Sequence, residues 1–92
     1  MKRIEYSVKA KKDLKRYRHK PLELKALFHV LEMLAHGQEL PALYHPHQLH
    51  GEYDGCMECH IKSDFLLIWI DEELSMIRVL RVGSHSELFR KY

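Results

Sequence analysis

The densest chemistry in the chain lies between residues 45 and 60. His45, His47 and His50 stand close together, and Cys56, Cys59 and His60 follow within ten residues. Cysteine and histidine are the preferred ligands of zinc. Cys56-Met57-Glu58-Cys59-His60 also reproduces the attachment pattern of c-type haem. Neither chemistry fits its surroundings. Haem of that type is attached outside the cytoplasm, whereas the N-terminus, MKRIEYSVKAKK, carries charge without the apolar core of a secretory signal. The segment alternates like a strand, with Cys56, Glu58 and His60 on one face and Met57, Cys59 and Ile61 on the other. Cysteines so placed diverge, and no Gly or Pro between them supplies the tight turn of a structural zinc site. No metal and no cofactor are therefore assigned, and two reduced, partly buried thiols are expected in the cytoplasm.

The elements that position such residues follow closely on one another. Lys2 to Tyr6 reads as a short strand. Ser7 can cap a helix over about 8–18, because its hydroxyl accepts orphan amide hydrogens of the first turn. Val8, Ala10, Leu14 and Tyr17 fall near one side of that helix. Pro21 suits the first turn of a second helix, where its missing N–H costs nothing. Leu24, Leu27, Phe28, Leu31, Leu34 and Ala35 then recur at helical spacing, and Gly37 is a natural stop. Residues 38–53, with Pro41, Pro46 and Gly51, read as a loop. Strands are expected at about 56–61, 65–71 and 75–82, separated by Lys62-Ser63-Asp64 and by Asp71-Glu72-Glu73. Turns this short imply antiparallel neighbours. The tail from Gly83 to Tyr92 has room for one helical turn. The order β-α-α-β-β-β predicts one α+β domain over residues 1–92, with two N-terminal helices on one face of a small antiparallel sheet. The other face is expected to be open and to hold the site.

Charge is unevenly spread. Residues 1–20 hold nine Lys and Arg against Glu5 and Asp13, a net of +7, while the remaining 72 residues hold six against eleven acids, a net of −5. A basic segment on a mildly acidic body suits a polyanion-facing surface, although a merely solvated helix face looks the same. The longest apolar run, Phe65 to Ile70, is far too short to span a membrane, so no membrane association is expected.

Three ordered blocks carry a resemblance. They are His47-Gln48-Leu49-His50-Gly51, Glu58-Cys59-His60-Ile61-Lys62-Ser63-Asp64-Phe65, and Leu80-Arg81-Val82-Gly83-Ser84-His85-Ser86-Glu87-Leu88-Phe89. In type and separation they resemble the YafQ branch of the RelE/ParE toxin superfamily, over residues 44–89. The resemblance implies a toxin of a type II toxin–antitoxin system, an endoribonuclease that cuts messenger RNA on the ribosome. It also implies a cognate antitoxin that blocks the active face, with no DNA binding by the toxin alone. By position it singles out His47, His60, Asp64, Arg81, His85 and Phe89. Three departures stand out: Pro46 where an Asp commonly precedes the first His, Ser63 in place of a Pro, and Phe65 in place of a Trp.

These residue types suit RNA cleavage, because RNA carries its own nucleophile. A base that takes the proton of a 2′-hydroxyl lets it attack the adjacent phosphate, leaving a 2′,3′-cyclic phosphate and a 5′-hydroxyl. Side chains can manage both proton transfers, and histidine titrates in the right range. A guanidinium can hold the charge that develops on the phosphate. The expected roles are His60 or His47 as base, His85 as acid, Arg81 as phosphate clamp and Asp64 as orienting group. Phe89, with Phe65, would stack on a base beside the cut. Lys11, Lys12, Lys15 and Arg16 would contact ribosomal RNA. Plainer explanations exist for each: Arg81 could be paired with an acid, Phe89 could be core, and Asp64 could be a turn residue. His19, His29, His36, His45 and His50 are read as structural or exposed. The competing function is a non-enzymatic inhibitor of a topoisomerase, like ParE. It would share the fold but have no need of the histidines.

Overall fold

The computed structural model describes residues 1–72 and 75–89. Strand β1 (Arg3–Tyr6) leads through Ser7 into α1 (Val8–Arg16) and α2 (Pro21–Ala35). Then come β2 (His47–Gln48), β3 (Met57–Lys62), β4 (Phe65–Glu72), β5 (Met76–Gly83) and α3 (His85–Leu88). Single 3-10 turns at Ala42–Tyr44 and Gly51–Tyr53 punctuate the long connection, and β2 is a strand that the reading of 38–53 as loop missed. Two residues are too few to show an alternating pattern. Glu73 of the acidic turn and residues 90–92 of the tail lie outside the described residues.

The five strands are ordered β1-β5-β4-β3-β2. The consecutive strands β2 to β5 pair antiparallel, as their short turns require, but β1 runs parallel to β5. The turn-length rule binds only strands joined by a turn; β1 is separated from β5 by both main helices, a connection long enough for a parallel return.

Ser7 caps α1 by accepting the Ala10 N–H at 2.9 Å. Helices α1 and α2 bury Ala10, Tyr17, Leu27, Val30 and Leu31 against Cys59, Ile61, Leu67, Trp69, Ile77, Val79 and Val82 of the sheet. Not every apolar residue at helical spacing joins this core: Val8 and Phe28 are exposed. The second face is not open throughout. Leu88 and Cys56, with Leu49, Tyr53 and Phe89, cover Leu66 and Ile68 and form a smaller core there.

Strand β1 covers β5 only from Met76 to Val79. Beyond that point α1 takes over the strand edge. The Ser7 N–H donates to Val79 O at 2.9 Å, the Ser7 hydroxyl donates to Leu80 O at 2.7 Å, and the Val82 N–H donates to Asp13 Oδ2 at 3.0 Å. Backbone groups that would otherwise be orphaned are thus satisfied by Ser7 and by the side chain of Asp13.

Candidate active site

Pairing across the sheet aligns the first histidines. His47 on β2 lies opposite Glu58 on β3, so both side chains share a face, and His60 follows on that face two residues later. His47 Nε2 stands 3.0 Å from Glu58 Oε1, while His60 Nε2 is 3.8 Å from the same oxygen. Glu58 itself is buried, at 4% exposure. His47 Nδ1 lies 2.8 Å from the His45 carbonyl, which can only accept, so that nitrogen carries a proton. His45 adopts a left-handed conformation at φ 50°, and its ring meets that of His60 edge-on at 5.6 Å. His60 thus sits at the centre, 6.4 Å from His47 and 5.5 Å from His85 between ring centroids.

His85 reaches the cluster because the chain turns sharply after β5. Gly83 lies so close to α3 that an added Cβ would stand 2.7 Å from Glu87 Oε1. Ser84 then caps the helix: its hydroxyl accepts the Glu87 N–H, while Glu87 accepts the Ser84 N–H at 2.8 Å. Glu87 also accepts the Tyr17 hydroxyl at 2.8 Å, fastening this short helix to α1. Burial first, and then this bond, push the Tyr17 hydroxyl up to about 12. Burial acts to raise the Glu87 carboxyl, but the Ser84 N–H, the Tyr17 hydroxyl and Arg16 together hold it below the ordinary range.

Asp64, in the turn between β3 and β4, completes the arrangement. Its Oδ1 accepts both the His85 backbone N–H and His85 Nδ1, each at 2.9 Å. The backbone N–H and the ring bond hold the Asp64 carboxyl below its ordinary value. With Nδ1 committed to a carboxylate, His85 keeps Nε2 for a substrate, the pattern of an oriented acid–base histidine.

Arg81 shares this face for an unexpected reason. On β5, Ile77 and Val79 point into the helix-side core, and simple alternation would send Arg81 after them. A shift of register between Ile68 and Trp69 leaves Leu80 as an extra residue, so that Arg81 pairs with Ile68 and Val79 with Trp69. The bulge re-aims Arg81 to the other face. Its guanidinium is nonetheless tied: Nε and Nη2 donate to Asp13 at 2.8 and 3.1 Å. It lines a pocket of about 430 Å³ with Lys9, Arg16, Glu52, Tyr53, Glu87 and Leu88, to which no histidine contributes. The structure therefore gathers His47, His60, Asp64 and His85, and leaves Arg81 outside that group, lining a separate recess with Glu87 and Leu88 of α3.

One expectation needs correction. Phe65 does not present a stacking surface: it is 3% exposed and packs on Tyr17 in the helix-side core, with ring centroids 4.6 Å apart. The start of β4 points its first side chain inward, as it must for Leu67 and Trp69 to follow. Phe89, partly exposed and 6.4 Å from the His85 ring, is the available aromatic. In the basic segment Lys11, Lys12, Lys15 and Arg16 are all exposed, Arg16 while also paired with buried Asp13 and with Glu87. The expectation of diverging cysteines holds, since Cys56 and Cys59 belong to the cores on opposite faces. Among the described residues no group of three or more His, Cys, Asp or Glu side chains is placed to hold a metal ion.

Sequence reasoning missed Glu58, His45 and Asp13 as members of the site and its support. A signal existed for Glu58, an acid on the same face as His60 in an otherwise apolar strand. None existed for His45, whose place depends on its backbone conformation, or for Asp13, whose partners are about 70 residues away.

This fold and its histidine-lined edge define a toxin domain of the RelE/ParE type. A family profile described as the bacterial toxin of type II toxin–antitoxin systems, YafQ, matches residues 2–90, and the chain belongs to that family. It is 31% identical over 87 residues to the mRNA interferase toxin YafQ of Escherichia coli K12, an alignment covering 94% of each chain. The crystal structure of a metal-bound toxin from Helicobacter pylori superposes with a TM-score of 0.85 at 40% identity, covering 97% of this chain and all of that one. The E. coli DinJ–YafQ toxin–antitoxin complex matches with a TM-score of 0.84 at 30% identity, covering 96% and 97%.

Proposed function

We propose that the protein is an endoribonuclease that cuts messenger RNA engaged on the ribosome. The observation that carries this reading is the convergence of three histidine rings on one sheet edge, with a carboxylate behind each outer one: Glu58 at His47 and Asp64 at His85. That is the equipment for two proton transfers around one phosphate. His60 is in reach of no closer partner than Glu58 at 3.8 Å and takes the role of base. His85, oriented by Asp64, delivers the proton to the leaving 5′-oxygen. Arg81 contributes positive charge to the RNA backbone, and Phe89 stacks on a neighbouring base. Lys11, Lys12 and Lys15 meet ribosomal RNA through sequence-independent, salt-sensitive contacts. The DinJ–YafQ complex of a relative supports a cognate antitoxin as the protein partner, and the family resemblance implies that this partner blocks the active face.

The test is cleavage of a defined messenger RNA with and without translating ribosomes, wild type beside His85→Ala. Removing a general acid should lower the rate about 10²–10⁴-fold. Ribosome-dependent cuts that vanish in the mutant support the reading. A folded wild type that makes no cuts would overturn it in favour of a non-enzymatic inhibitor.

A further inference from the structure

Asp13 is the most deeply buried charged residue on the described surface of α1, at 1% exposure, and the acid–base chemistry above makes no use of it. Its two oxygens accept Arg81 Nε, Arg81 Nη2 and the Val82 N–H, and Arg16 also pairs with it. A buried ion pair is weak evidence of stabilisation, since apolar residues of similar volume commonly serve as well or better. What such a pair does supply is geometry. A carboxylate that grips one edge of a guanidinium in fork fashion fixes the plane of the group and leaves its remaining N–H groups aimed one way. Here Arg81, so held, lines a recess with Tyr53 and Lys9.

Building on the ribonuclease reading, we propose that Asp13 is a positioning residue, which holds the Arg81 guanidinium rigidly presented to an RNA phosphate. Two features of the fold converge on this arrangement. The bulge at Leu80 turns Arg81 out of the core. The end of β1 at Tyr6 then leaves an uncovered edge on β5 that brings Asp13 of α1 beside it. Without Asp13, the side chain would keep its charge but lose its orientation, and a misplaced group at a reaction centre can cost about a hundredfold in rate.

The experiment compares Asp13→Asn, Arg81→Ala and the double variant in single-turnover cleavage of ribosome-bound messenger RNA, with thermal melting to check folding. Asp13→Asn is expected to cut about a hundredfold more slowly and to add no further loss in the Arg81→Ala background. In parallel, the Arg81 Nε–H, bonded to Asp13 at 2.8 Å, should exchange slowly and give a resonance in the wild type that is lost in Asp13→Asn. A folded Asp13→Asn that cuts at the wild-type rate overturns the proposal, as do losses that multiply in the double variant. If Asp13→Asn does not fold, Arg81→Lys decides: it keeps the cation and loses the fork. Its rate should fall to that of Arg81→Ala, and a wild-type rate would overturn the proposal. A wild type that fails to cut would instead remove the ribonuclease reading, leaving the Nε–H resonance to judge the positioning role alone.

Discussion

The two faces of the sheet are built from the same strands and do opposite work. On β3, Cys59 and Ile61 point into the helix-side core while Glu58 and His60 point into the site. On β4, Leu67 and Trp69 face the helices while Leu66 and Ile68 support α3 from beneath. Alternate residues therefore separate stability from chemistry with a period of two. The site face is also the thinner one. Its apolar cluster is small, and His47, His60 and His85 sit at its rim, partly exposed to solvent. The lesson is that a small toxin domain can spend one whole face on folding and still keep a rigid platform for catalysis on the other.

A pair of substitutions on adjoining strands would break this division if it is wrong. His60→Gln should lower the cleavage rate about 10²–10⁴-fold with little change in melting temperature. Leu67→Ala, fully buried on the helix side, should cost about 2–5 kcal/mol of stability in denaturant titration and leave the rate of the folded fraction close to wild type. The reverse pattern would show that the two faces are not independent.

The link between the faces is sharpened by Tyr17→Phe. The ring stays in the core against Phe65, and only the hydroxyl that reaches Glu87 is lost. A loss of about 1–2 kcal/mol is expected, together with a reduced cleavage rate as α3 loosens. Unchanged amide exchange in residues 84–88 would argue that α3 is held by its capping box and Leu88 alone.

The smallest effect concerns acid pH. Because Asp64 is bonded by the His85 N–H and ring, its folded-state pKa lies below its ordinary value. Its contribution to holding α3 is therefore fully present above the ordinary aspartate range and is lost as pH falls through the depressed folded value. The carboxyl carbon of Asp64, followed by NMR, should titrate below a reference aspartate. A midpoint at or above that reference would mean that the bonds to His85 do not persist in solution.

Much of this protein was legible in the chain. Ser7, Pro21 and Gly37 mark the ends of helices because caps and breakers act through local backbone chemistry, and α1 and α2 fall close to where those residues put them. Alternation along residues 56–61 assigned the two cysteines to opposite faces, and the family resemblance of three blocks singled out His47, His60, Asp64, Arg81, His85 and Phe89, of which the structure brings His47, His60, Asp64 and His85 together. The capping box of Ser84 and Glu87 also lay in the sequence, as a serine followed three residues later by a glutamate. Phe65 was misjudged because its aromatic type, in place of the family's Trp, suggested a stacking ring, whereas the pleat sends it inward.

Tertiary structure alone decided the rest. Only the bulge at Leu80 explains why Arg81 leaves the core, since alternation on β5 would have buried it. The parallel pairing of β1 with β5, and the strand edge that it leaves to α1, bring Asp13 to Arg81 across 68 positions of sequence. Local patterns record propensity and periodicity, which act over a few residues. Which distant groups meet is set by sheet order and register, and those are satisfied only when the whole chain packs.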